Sequence, residues 1–153
     1  MSRTGLDVFD TTLDKTNLWL KFIGERLGPD RQRAYNALRA VLHALRDRLT
    51  VDQACHLGAQ LPMLIRGIYF EAYRPAGKPE RLRTQEEFLE QVVEKLQHIR
   101  PIDARDAAQA VFAAIGAFIN PAEAEQVRQA LPDKIRALWP RAEADGGGQM
   151  AAD

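Results

Sequence analysis

Apolar residues recur along the chain at intervals of three and four, the signature of helices that bury one face. Phe9, Leu13, Leu20, Ile23 and Leu27 form the first such stripe, and Gly28-Pro29 ends it. Asp30 is placed to cap a second helix that carries Ala34, Leu38, Val41, Leu42, Leu45 and Leu49 on its buried face. Arg39, His43, Arg46 and Asp47 fall largely outside that stripe. Thr50 with Gln53 is a capping-box pattern and opens a third helix with Ala54, Leu57 and Leu61 inward. Pro62 breaks it, yet suits the first turn of a short fourth helix from Met63 to about Phe70, where a missing N–H costs nothing.

Pro75, Gly77 and Pro79 among charged residues mark 71–83 as a linking loop. Thr84 with Glu87 is a second capping box, opening a helix with Phe88, Leu89, Val92, Val93 and Leu96 on its buried side. Pro101 and Asp103 separate that helix from the next, 106–119, which turns Ala107, Val111, Ala114, Ile115 and Phe118 inward. Asn120-Pro121-Ala122-Glu123 combines an N-cap, a first-turn proline and an acid at N3. A short helix over 132–139 closes the pattern and Pro140 stops it. The tail 141–153, with three consecutive glycines and no apolar run, is expected to be disordered.

A shift of 70 residues aligns 37–69 with 107–139 without a gap, and nine of these pairs are identical. Alanines account for four, so the weight rests on Leu61-Pro62 with Ile65-Arg66 against Leu131-Pro132 with Ile135-Arg136. Two units whose apolar faces need each other pack most simply around one core. The expectation is an all-α, compact bundle of about eight helices, some short. It would be one domain over 1–140, made of two pseudo-symmetric repeats, 9–70 and 84–140.

Composition narrows the setting. The 46% apolar content in 153 residues supports a core without a metal or disulfide staple. One cysteine, Cys55, forbids an internal disulfide and points to a reducing, cytoplasmic compartment. No segment nears the roughly 20 apolar residues of a membrane span, and none reads as a signal peptide. The formal charge is zero, but 31–84 holds ten basic and four acidic residues, a local excess of +6. That segment is either an anion-binding face or a set of solvated helix sides meeting acids of the same fold.

Three strings resemble a known family: Ala40-Val41-Leu42-His43-Ala44-Leu45-Arg46-Asp47-Arg48-Leu49, Ala59-Gln60-Leu61-Pro62-Met63-Leu64-Ile65-Arg66-Gly67-Ile68-Tyr69, and Arg74-Pro75-Ala76-Gly77-Lys78-Pro79. They look like the bacterial domain of unknown function 2267, and the resemblance covers about 5–140. It implies a small all-helical bacterial protein and brings no activity with it. Where relatives read Gly-Trp before Arg-Pro, this chain has Ala72-Tyr73, which keeps an aromatic.

Chemistry-bearing residues are sparse. His43, Cys55, His56 and His98 form no CxxC or HExxH pattern, so no metal and no cofactor is expected. Cys55 and His56 are neighbours about 100° apart on a helix, which keeps thiol and imidazole from pairing. Cys55 reads as a buried or half-buried structural residue, and His43, bordered by arginines, as a surface one. Glu86-Glu87 and Glu123 with Glu125 share no helix face, as an acid/base pair would need. No phosphate-cradling glycine string is present. No catalytic residue is expected.

The richest segment interleaves aromatics and cations at the end of the fourth helix, and Arg66, Tyr69, Phe70, Tyr73, Arg74 and Lys78 form a candidate interaction surface. Against this, Tyr69 and Phe70 belong to the core if Tyr69 pairs with Trp139 across the repeat. The functional expectation is a non-catalytic module that binds a protein or itself. The alternatives are polyanion or nucleic-acid binding through 31–84, and an enzyme of unstated reaction using His43 or Cys55.

Overall fold

The computed structural model describes residues 2–96 and 102–140. The expected tail 141–153, His98 and Pro101 lie outside the described residues. Among the described residues the chain forms eight helices and no strand. These are α1 Asp7–Leu27, α2 Arg31–Arg48, α3 Val51–Gln60, α4 Met63–Phe70, α5 Gln85–Lys95, α6 Ala104–Phe118, α7 Pro121–Ala130 and α8 Asp133–Arg136.

Side chains satisfy the orphan amides where the sequence placed caps. Asp30 accepts from the Gln32 amide, and Thr50–Gln53 and Thr84–Glu87 each close a full capping box. Asp103 accepts from Asp106, and Asn120 from Ala122 and Glu123, with Pro121 in the first turn. Pro62 and Pro132 stand at the N-caps of α4 and α8, so both break the preceding helix as expected. The last helix is shorter than its pattern, a single turn that ends at Arg136.

α2 lies at the centre, packed against α1, α4, α5 and α6. Leu38, Val41, Leu42 and Leu45 are fully buried on it, as is Leu49 at its C-cap. α6 packs against it and buries Ala107, Ala108, Ala110, Val111 and Ala114. One aromatic row binds the second half together: Phe88 meets Phe112 at 5.8 Å, and Phe112 stacks on Trp139 at 4.7 Å. At the other side Trp19 of α1 stacks on Phe118 at 5.4 Å, and Phe22 meets the same ring edge-on at 5.3 Å.

Several burial expectations are corrected. Phe9 is 46% exposed, because burial on α1 begins one turn later and runs through Thr12, Thr16, Trp19, Leu20 and Ile23. Val93 is 59% exposed beside the buried Val92, and Phe118 stays 39% exposed at the last residue of α6. His43, expected at the surface, is buried, and so are Arg46 and Asp47. Cys55, expected buried or half-buried, is exposed on α3.

Positions 70 apart make matching contacts at the ends of α3 and α7. The Arg66 guanidinium donates to the carbonyls of Gly58 and Leu61 at 2.9 and 3.0 Å. The Arg136 guanidinium donates to those of Arg128 and Leu131 at 3.2 and 2.8 Å. Each arginine satisfies carbonyls that a helix end leaves without partners. α3 and α7 also pack on one another.

Candidate functional site

The six residues singled out at the end of α4 do not form one open surface. Tyr69 is fully buried and its hydroxyl donates to the Ala54 carbonyl at 2.7 Å, so burial holds the phenol well above its usual range. It is corrected from interaction surface to core. Phe70 is half-buried, edge-on to Tyr69 at 4.8 Å. Tyr73 is half-buried too, and desolvation raises its phenol above the ordinary value. Arg66 is exposed but its guanidinium is tied to α3. The Lys78 side chain is only 10% exposed, and its ammonium sits 3.2 Å from Glu80. Arg74 is exposed.

What lies beneath these residues is a buried polar latch between α2 and the end of α4. Arg46 Nη1 donates to the carbonyls of Tyr69 and Glu71, both at 2.6 Å, while its Nε donates to Asp47 at 3.1 Å. Asp47 also meets the Lys95 ammonium at 3.4 Å, and Arg39 reaches Glu71 at 3.6 Å. Since a carbonyl only accepts, His43 Nε2 carries the proton of its 2.7 Å bond to Ile68. Desolvation pushes the His43 pKa down to about 4, the Ile68 carbonyl partly opposes this, and the cations Arg46, Arg39 and Lys95 reinforce it. The imidazole is therefore neutral near pH 7. His43 and Arg46 satisfy carbonyls left open at the C-terminus of α4, and Asp47 and Lys95 pair with charges beside them.

The basic excess of 31–84 is largely spent inside the fold. Besides Arg46, Arg39, Arg66 and Lys78, Arg33 donates to the Leu27 carbonyl and Arg48 to that of Leu82. On α3, His56 pairs with Glu123 of α7. Beside that pair Asp52, Gln53 and Gln126 line a cavity of about 270 Å³. Among the described residues no group of three or more His, Cys, Asp or Glu side chains gathers as metal ligands would, and no helix is long and apolar enough to cross a membrane.

The open apolar surface lies elsewhere, where α4 meets α1. A hollow of about 390 Å³ is lined by Phe9, Thr12, Leu13, Met63, Leu64 and Gly67, with Thr4 at its edge. A second and more polar hollow, of about 420 Å³, is lined by Leu18, Trp19, Met63 and Phe118 together with Lys15, Gln60 and Arg66. Met63 lines both. The Leu64 amide donates to Thr12 Oγ1 at 2.8 Å, which pins α4 to α1. Sequence reasoning missed this face because it assigned Phe9 and Leu13 to the core. Phe9, Leu13, Met63 and Leu64 are all apolar in the sequence, but nothing local shows that they meet.

A family model described as "Uncharacterized conserved protein (DUF2267)" matches residues 16–138. No curated protein matches the chain.

Proposed function

The chain belongs to the DUF2267 family, and for this member we propose a non-catalytic protein-interaction module that works through the α1–α4 face. The observation that carries the reading is the exposure of Phe9, Leu18, Met63, Leu64 and Phe118, at 39 to 55%, around two hollows that share Met63. Exposed apolar surface of this kind marks binding sites more often than chance. The commitment of His43 to the Ile68 carbonyl supports the non-catalytic half of the reading. The internal engagement of the basic residues favours it over polyanion binding.

The same reading takes the chain as one domain in the cytoplasm of a bacterium and the two halves as copies of one unit. The matching Arg66 and Arg136 contacts support that duplication.

The test compares the tagged protein with Leu64→Glu, a change at an exposed position, both purified from the same host. The expected result is a protein, another copy or a different chain, held by the parent and lost by the variant, with unchanged circular dichroism. Retention of the same protein by both, or of none by the parent, overturns the reading.

A further inference from the structure

We infer that the hollow at the start of α4, between α1 and the end of α6, binds a small organic anion, a carboxylate carried on an apolar body. The inference stands apart from the interaction-module reading, since it concerns the chemistry of one hollow and not the docking of a protein. The hollow is cationic. Lys15 and Arg66 line it together with Gln60, and none of its lining residues is acidic. Lys15 forms no ion pair among the described residues. Asp14, its neighbour in the chain, pairs with Arg3 at 2.8 Å.

Arg66 is held in a way that leaves one edge for an anion. Its Nε and Nη2 donate to the carbonyls of Gly58 and Leu61 at 2.9 and 3.0 Å, which fixes the guanidinium. Its Nη1 has no partner among the described residues. The second half of the chain shows what such an Nη1 takes. Arg136, 70 positions on, is tied to the equivalent carbonyls of Arg128 and Leu131, and its Nη1 meets the Asp133 carboxylate at 3.0 Å. The position 70 residues before Asp133 is Met63, which is neutral and lines the hollow. The first half therefore keeps the arginine and lacks the acid. A carboxylate brought by a ligand does for Arg66 what Asp133 does for Arg136, through a charge-assisted hydrogen bond.

The rest of the hollow selects the body. Trp19 and Phe118, stacked at 5.4 Å, form its apolar wall with Leu18, and Phe118 and Leu18 are 39 and 55% exposed. A volume of about 420 Å³ lies in the range of small-molecule sites, which combine apolar walls with a few placed polar groups. An inorganic anion leaves that wall in water. A neutral aromatic leaves Lys15 and Arg66 without a counter-charge.

The probe is phenylacetate, titrated into the full chain labelled with nitrogen-15 and followed by amide chemical shifts, with phenylacetamide and inorganic phosphate in parallel. Phenylacetate should saturate with a Kd near or below about 1 mM, the strength expected of about ten heavy atoms, with shifts centred on Lys15, Trp19, Met63 and Arg66. The other two should bind at least about tenfold more weakly. Met63→Asp supplies, at a position 48% exposed, the acid that the second half carries. Arg66 then pairs internally, and phenylacetate should bind about tenfold more weakly with circular dichroism unchanged. Lys15→Gln should weaken binding about threefold. Arg66 stays as it is in these variants because its carbonyl bonds brace the end of α3. No saturation at roughly ten times the expected Kd, shifts centred away from the hollow, equal binding of phenylacetamide or phosphate, or undiminished binding by Met63→Asp overturns the inference. None of these outcomes touches the module reading, which Leu64→Glu tests at the other hollow.

Discussion

Acid should loosen the latch between α2 and α4 through one imidazole. His43 is buried, donates to the Ile68 carbonyl, and has its pKa lowered to about 4 from an ordinary 6.5, first by desolvation and then by the cations Arg46, Arg39 and Lys95. The unfolded chain therefore takes up this proton before the folded one does. The associated stability is complete above about pH 6.5, drains as pH falls towards 4, and is gone below that. Each pKa unit is worth about 1.4 kcal/mol, so the whole loss is about 3 kcal/mol, a large part of the 5 to 15 kcal/mol that holds an ordinary domain. Urea unfolding of the parent and of His43→Gln, at about pH 7, 5.5 and 4, isolates the effect. Asp10 and Glu87, whose carboxyls hydrogen bonds hold low, also lose stability in acid. They do so in both proteins and cancel. The parent should lose about 3 kcal/mol more than the variant over that range. If the two fall in parallel, the account of a buried neutral His43 is wrong.

Two further perturbations probe the packing. Trp139→Ala removes a ring that is 5% exposed and stacked on Phe112, and should cost about 3 to 5 kcal/mol in a thermal melt. Tyr73→Ala should cost far less, since the ring is half-buried and its buried hydroxyl finds no hydrogen-bond partner among the described residues. Gly58→Ala places a Cβ 2.5 Å from the Phe70 ring and 3.2 Å from that of Tyr69, and should cost about 1 to 3 kcal/mol in urea unfolding. Adding Phe70→Leu should return part of that loss.

Helix order and starts were legible because a cap is a local device: Thr50 and Gln53, or Asn120 and Pro121, meet within one turn. Pro62 and Pro132 announced their breaks for the same reason. Burial was legible only where hydropathy and packing agree, as along α2. Phe9 carries the right spacing but lies ahead of the turn where burial on α1 begins. His43, Arg46 and Asp47 looked like surface residues because the groups that hold them there, the carbonyls of Ile68, Tyr69 and Glu71 and the ammonium of Lys95, come from more than twenty residues further along the chain. The candidate surface failed for a related reason. Interleaved aromatics and cations suggest an interface, but Tyr69 found its acceptor in Ala54 and Arg66 found its own in α3. The exposed face on α1 and α4 exists only once α4 has docked, so periodicity within either helix could not display it.

The stacking of Trp19 on Phe118 joins residues 99 positions apart, from 19 to 118. Closing a loop of that length costs about 2 kcal/mol more than closing one of ten residues. Helix pairs adjacent in sequence, such as α3 with α4, can dock long before that closure is worthwhile. On that ordering the clasp of α1 on α6 is expected to form on the native side of the folding barrier. Contacts absent from the transition state govern how fast a protein opens and leave its rate of formation almost untouched. Truncating Phe118 to Ala is therefore expected to speed unfolding while leaving the folding rate almost unchanged, which stopped-flow kinetics would read.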